Sequence, residues 1–151
     1  MSDSSTPHEI AAAVRRLDVA MSGLTGAVAR EIGVSVPELL ALEHLAGDAG
    51  LGPSELARRL QLTSGSVTGL VDRLEAGGRA VRAPHPSDRR RVVVLRTTKA
   101  DEDVRHGEQT LVAAVTELAA GLSEDERRVV AGFLQRLTDI IERTADEARA
   151  A

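Results

Sequence analysis

The chain of 151 residues contains no cysteine, no tryptophan and no tyrosine, and Phe133 is its single aromatic residue. Without cysteine, disulfides, thiol redox sensing and cysteine-ligated metal are excluded. With one ring, it cannot build the aromatic platforms on which single-strand readers stack bases. No apolar run approaches the ~20 residues that a membrane span requires. The opening MSDSSTPHEI is polar and acidic, unlike the apolar core of a secretory signal, so a cytoplasmic protein with no membrane association is expected. The length suits one domain that buries a core without staples.

What is present is charge, unevenly spread. The formal net charge is −4. Between Pro53 and Lys99, however, ten cations stand against four acids, a local charge of +6, while the rest of the chain carries −10. A basic middle between acidic ends points to a polyanion-binding module flanked by solvated or self-associating segments.

Apolar periodicity orders the chain. Ile10, Val14, Leu17, Met21, Leu24 and Val28 alternate steps of four and three, the seam of a helix packed along another helix, and Gly33 closes it. SVPELLALEHLAG restarts a helix with Ser35 as cap, Pro37 in the first turn and Gly47 at the end. After the turn-rich GDAGLGP come two short helical patterns, PSELARRL and TSGSVTGLVDRLEAGG, separated by Gln61 and Leu62. RAVRA and RRVVVLRT read as strands around a PHPSD loop. From Thr98 the pattern is helical again, with Val104, Leu111, Val115, Leu118 and Leu122 in one stripe broken by Gly121. SEDE is a capping box of Ser123 and Glu126, opening a last helix that carries Val130, Phe133, Leu137, Ile140 and Thr144.

The expected fold is therefore mainly α with a small β-hairpin, a winged helix-turn-helix with N- and C-terminal dimerisation helices. Residues 1–7 are expected to be disordered, 8–34 and 100–151 to form dimerisation helices, and 35–99 to form the winged helix-turn-helix region, all in one compact chain. The terminal seams can satisfy each other within the chain or across a two-fold axis. Their length against so small a central module favours a homodimer.

A DNA-reading pair of helices needs the second held at a fixed angle and free to enter the major groove. Leu56, Ala57 and Leu60 face inward from the first helix, Leu62 fills the turn, and Val67, Leu70, Val71 and Leu74 face inward from the second. Thr63 is the natural cap. The opposite face presents Gly65, Thr68, Gly69 and Asp72, flanked by Ser66 and Arg73. Glycine costs about 1 kcal/mol relative to alanine in a helix, so two on one exposed face imply a need to bring backbone close to a partner. The hydroxyls of Ser64, Ser66 and Thr68 can reach base edges or phosphates. Alone, the segment also fits an ordinary helical hairpin.

The basic hairpin that follows decides between these. Such a wing lies along the flanking backbone or enters the minor groove, where negative potential favours arginine. Arg89, Arg90 and Arg91 supply the charge, Pro84 and Pro86 stiffen the approach, and Asp88 can hold the loop by hydrogen bonds or by pairing one arginine. Val92 and Val94 would point one way and Val93 and Leu95 the other.

LARRLQLTSGSVTGLVDRLEAGGRAVRAPHPSDRRRVVVLRTT resembles the MarR-family transcriptional regulators, in the LVDRLE helix end, the following glycine and the P-x-P-x-DRR wing. The flanking helices follow the same order, so the resemblance covers nearly the whole chain. It implies a winged-helix homodimer on a pseudo-palindromic operator of double-stranded DNA, usually a repressor released by a small anionic or aromatic effector. By the match, Asp88 braces the wing and Arg90 contacts DNA. Thr63, Ser64, Ser66 and Thr68 fall where the family reads the major groove, and Asp72 and Arg73 form its DR pair, bracing the wing and touching phosphate. Arg96 and Ala100 stand where the family often has leucine and glycine. The other reading is a winged-helix dimer that has lost DNA binding and serves as an interaction or ligand-binding scaffold, with Gly69 replacing the longer side chain of many relatives.

Effectors of the family sit between the dimerising helices and the winged-helix lobe. Arg15, Arg16, Met21, His44 and Arg105 are candidates there by region, an arginine holding a carboxylate. The four histidines, His8, His44, His85 and His106, lie at no metal-ligand spacing, so no metal and no cofactor is expected. GSVTG is not a nucleophile elbow and GLGPSE lacks the third glycine of a dinucleotide loop, so the chain is not read as an enzyme.

Overall fold

The computed structural model describes residues 6–47 and 50–150. Among them the order is α1 (Pro7–Glu31), α2 (Val36–His44), α3 (Pro53–Leu60), α4 (Ser64–Ala76), β1 (Ala80–His85), β2 (Asp88–Arg96), α5 (Thr98–Ala120) and α6 (Glu124–Ala150). The fold is mainly helical, with one antiparallel hairpin and flanking helices, in the winged helix-turn-helix arrangement.

Side-chain caps set where the helices begin. α1 and α2 start on capping boxes, Thr6 with Glu9 and Ser35 with Glu38, each with a proline in the first turn. α6 starts on the Ser123–Glu126 box, in which the Ser123 amide donates to Glu126 at 2.8 Å. Thr6 caps α1 and Pro7 begins it, the Thr6 hydroxyl accepting from the Glu9 amide. Residues 1–5 lie outside the described residues.

The core is the helix-turn-helix itself. Leu56 and Ala57 of α3 and Val67, Leu70, Val71 and Leu74 of α4 are buried with Leu39, Ala41, Leu42 and Leu45 around α2, and Leu60 and Leu62 pack at the edge. Full burial of each large aliphatic contributes roughly 1.5–3 kcal/mol. Ala100 and Val104 of α5 close the same core. α1 joins it through Val28 and Ala29, and Val28 approaches α5 so closely that a Cβ on Gly107 would meet its Cγ1 at 2.4 Å.

The hairpin is longer than the sequence reading, and its turn shorter. Pairing runs from Ala80 opposite Arg96 to Pro84 opposite Val92, then shifts so that His85 faces Asp88. Pro84 is tolerated because it sits at that irregularity on an outer strand. Leu51 joins the hairpin as an isolated bridge: its amide donates to the Val94 carbonyl at 3.0 Å and its carbonyl accepts from the Val94 amide at 2.8 Å. Gly50 makes this approach possible, with φ at +61° and no room for a Cβ beside Val94 O and Leu95. Strand β2 is thus covered on both faces at Val93 and Val94, whereas Val92, expected to point with Val94, is exposed near the tip.

The chain divides into two compact units, the first ending at Glu108 and the second beginning at Gln109. The physical reason lies in the side chains. No described residue beyond Val104 is buried, and Val112, Val115, Leu118, Val129, Leu134 and Ile141 are largely exposed.

Candidate nucleic-acid interface

The turn between α3 and α4 is tight because Gln61 adopts a left-handed conformation (φ 55°), which lets its amide bond back to α3 and brings Leu62 onto the core. Thr63 then caps α4, accepting from the Ser66 amide at 3.2 Å, with the Thr63 and Ser66 hydroxyls 2.9 Å apart. Ser64, Gly65, Ser66 and Thr68 are exposed on the first two turns, followed by half-buried Gly69 and exposed Asp72 and Arg73. A Cβ on Gly65 would meet nothing within 4 Å, and one on Gly69 only Arg73 Nη1 at 3.6 Å, an ordinary van der Waals contact. Neither glycine has positive φ. The chain's own packing therefore requires neither.

Asp72 and Arg73 turn to different partners. Arg73 Nε lies 2.5 Å from Glu38 Oε1, and the Glu38 side chain is only 8% exposed. Its other oxygen accepts from the Ser35 amide at 2.7 Å. Burial pushes the Glu38 carboxyl up, but the Ser35 amide and hydroxyl and the Arg73 guanidinium outweigh it and hold the group below its ordinary value. Arg73, expected to touch DNA, ties α4 to the start of α2 through its Nε, while its side chain stays 64% exposed. Asp72 Oδ1 pairs with Arg82 Nη2 on β1 at 2.8 Å, and Arg82 also binds Glu75 through both its side chain and its backbone amide. Arg82 was not singled out by the sequence. An arginine ten residues after an acid carries no local signature, and only the turn back of β1 brings the two together.

At the wing tip, Asp88 Oδ1 accepts from the Arg90 amide at 3.0 Å. It holds the loop through the backbone, as aspartate does in turns. His85 Nδ1 accepts from the Ser87 amide at 3.2 Å on the other side of the turn. Arg90 and Arg91 are exposed and form no ion pair among the described residues. Of Arg89 only its place in β2 is described.

The remaining cations of the basic segment behave differently. Arg58 and Arg59 pair with Glu55, whose carboxyl they hold down at about 2, and Lys99 donates to Gly77 O at 2.8 Å. Arg79 binds Asp103 at 2.8 Å and the Ile32 carbonyl; Arg96 binds Asp101 at 2.5 Å and the Leu42 carbonyl at 3.2 Å. With Arg73 and Arg82, seven of the ten cations have partners inside the chain. Among the described residues, the exposed cations without an ion pair, Arg90 and Arg91, are on the wing.

The effector candidates are not brought together. Arg105 lines a cleft of about 330 Å³ with Glu43, Ala46, Arg96, Asp101 and Val104. Arg15, Arg16 and Met21 stand exposed on α1, and His44 ends α2. Among the described residues no group of three or more His, Asp or Glu is placed to hold a metal ion. No helix among them is long and apolar enough to cross a membrane.

Comparison with known proteins agrees with this geometry. The sequence model of the MarR family matches residues 32–91. YcgE of Bacillus subtilis, an uncharacterized HTH-type transcriptional regulator, is 31% identical over 77% of this chain and 75% of its own. Among solved structures, transcriptional regulator Tm0710 of Thermotoga maritima superposes with a TM-score of 0.69 at 24% identity, covering 92% of this chain and 98% of that one. A MepR variant of S. aureus bound to an oligodeoxyribonucleotide gives 0.60 at 20% identity over 87% and 97%. A two-helix unit, a hairpin tipped by exposed arginines and these relatives lead to one conclusion: the chain belongs to the MarR family of winged helix-turn-helix transcriptional regulators.

Proposed function

We propose that the protein binds a pseudo-palindromic operator in double-stranded DNA as a homodimer and represses transcription until a small anionic or aromatic effector releases it. In this reading Thr63, Ser64, Gly65, Ser66, Thr68 and Gly69 meet the major groove, and the wing arginines Arg89, Arg90 and Arg91 meet the flanking backbone and minor groove. The observation that carries it is the charge distribution. Seven cations of the basic segment are used internally, while Arg90 and Arg91 stay exposed at the end of a braced hairpin. Like charges held on one tip repel unless a polyanion meets them. The MepR variant bound to an oligodeoxyribonucleotide has the same fold. The exposed apolar side chains of α5 and α6 support a dimer. Support for an effector is confined to the cleft that Arg105 lines.

Selection of bound duplexes from a random pool should return a palindromic motif. On that operator Arg90→Ala should bind more weakly, and losing one phosphate contact should make the log–log salt slope shallower by about 0.9. An alanine variant that binds as tightly as the parent at physiological salt removes the wing from the interface. No enrichment from the pool would favour instead a dimeric scaffold without DNA binding, the role to which Gly69 in the middle of the reading face would then belong.

A further inference from the structure

We infer that His85 is a positioning residue of the wing: its neutral ring ties down the hairpin turn, and the proton it takes up below neutral pH releases that turn. Pro86 and Ser87 alone join β1 to β2, since His85 pairs with Asp88. Two-residue hairpins favour type I′ or II′ turns, whose twist matches the strands and whose first central residue has positive φ. Proline fixes φ near about −65°, so Pro86 excludes both types, and Ser87 has no positive φ either. The turn that is left splays right-twisted strands, and the register shifts between Pro84 and His85. Such a tip needs bonds that the strands do not supply.

Two side chains supply them, each accepting from the amide two residues on. Asp88 Oδ1 takes the Arg90 amide at 3.0 Å, and His85 Nδ1 takes the Ser87 amide at 3.2 Å, with the Ser87 hydroxyl 3.2 Å from the same nitrogen. A backbone amide only donates, so Nδ1 carries a lone pair and the ring is neutral with its proton on Nε2. The imidazolium donates from both nitrogens and cannot hold that amide. Histidine changes charge between about pH 5 and 8, where a carboxylate does not. The charges around the ring belong to the hairpin: Asp88 opposite, then Arg89, Arg90 and Arg91 along β2. α4, which packs against β1, directs Asp72 and Glu75 to Arg82 instead. Protonation thus adds a cation to a tip already crowded with arginine and removes one of its two braces. Ordering two backbone residues costs more than one phosphate contact returns at physiological salt, so the lost brace outweighs the gained charge. The brace stands above the pH at which the ring protonates and is lost below it.

The effect on binding rests on the DNA-binding reading above, but the brace is tested first in the free full chain. Nitrogen shifts of the His85 ring at about pH 8 should identify the Nε2–H tautomer. Between about pH 8 and pH 5.5, protection of the Ser87 amide, corrected for intrinsic exchange, should fall severalfold, while that of the Arg90 amide stays constant. His85→Asn should keep Ser87 protected throughout, because asparagine accepts from the amide two residues on as aspartate does. His85→Lys, a charge without the acceptor, should leave Ser87 unprotected throughout. On the operator recovered by selection, the parent should weaken about threefold relative to His85→Asn over the same interval, and His85→Lys should bind as the acidified parent does. A Ser87 amide indifferent to pH overturns the inference, and so does a parent that gains on His85→Asn as the pH falls, since the ring would then serve as one more phosphate contact. A pool that enriches no duplex, with Ser87 behaving as stated, supports the brace and removes the DNA-binding reading.

Discussion

Gly65 and Gly69 cost the helix stability without serving the packing of the chain. Each sits in helical conformation with room for a methyl group. Alanine at either position should therefore raise stability by up to about 1 kcal/mol, the ordinary helix-propensity difference. If the glycines serve close approach to a duplex, the same variants should bind operator more weakly. Thermal melting and binding titration on one preparation separate the two effects. A variant that gains stability and keeps its affinity would leave the glycines without a role at the groove. Gly107 is the opposite case, since a Cβ there would run into the buried Val28 side chain.

Between residues and the whole chain, the decisive unit is the hairpin anchored on α4. Its tip can carry unpaired cations because its base is fixed: Arg82 spans Asp72 and Glu75, and Arg79 and Arg96 bind Asp103 and Asp101 of α5. Arg82→Ala should loosen the wing while leaving the number of phosphate contacts unchanged. Operator affinity should fall severalfold with the salt slope intact; a slope shallower by about 0.9 would make Arg82 a phosphate contact rather than a brace. Helix positions in this region were legible because apolar spacing and caps are local: α3, α4 and the Thr63 cap fall where the pattern put them. The strand ends and Leu51 were not. Pairing of Leu51 with Val94 depends on a backbone partner 43 residues away, which no local pattern records. The SVPE cap of α2 has the same form as SEDE, so Glu38 was findable as a cap, but not as the partner of Arg73.

For the molecule as a whole, the unmet apolar surface beyond Gln109 matters most. Leu118 is 76% exposed and Val129 70% exposed in the single chain, more than a helical unit of this size leaves to water without a partner. Introducing glutamate at Leu134 and Ile141 together should cost the isolated chain little, since both are already exposed, yet should block association. Sedimentation of the double variant is expected to give monomers and to abolish tight operator binding. A dimer of unchanged stability would mean that these side chains lie outside the interface. The basic segment holds +6 while the chain as a whole is negative.

Read as a string, the residues establish the element order, the inward faces of α3 and α4, the helix caps and the crowding of arginine on one turn. Each depends on neighbours within a few positions, where periodicity and turn chemistry act. Which arginines are spoken for could not be read that way. Arg73, Arg79, Arg82 and Arg96 meet their acids and carbonyls across 5 to 54 residues of chain, and at all but the shortest of these distances the pairing exists only once the helices and hairpin are folded against one another. Folding thereby turned a diffuse basic segment into a neutralised base and a charged tip.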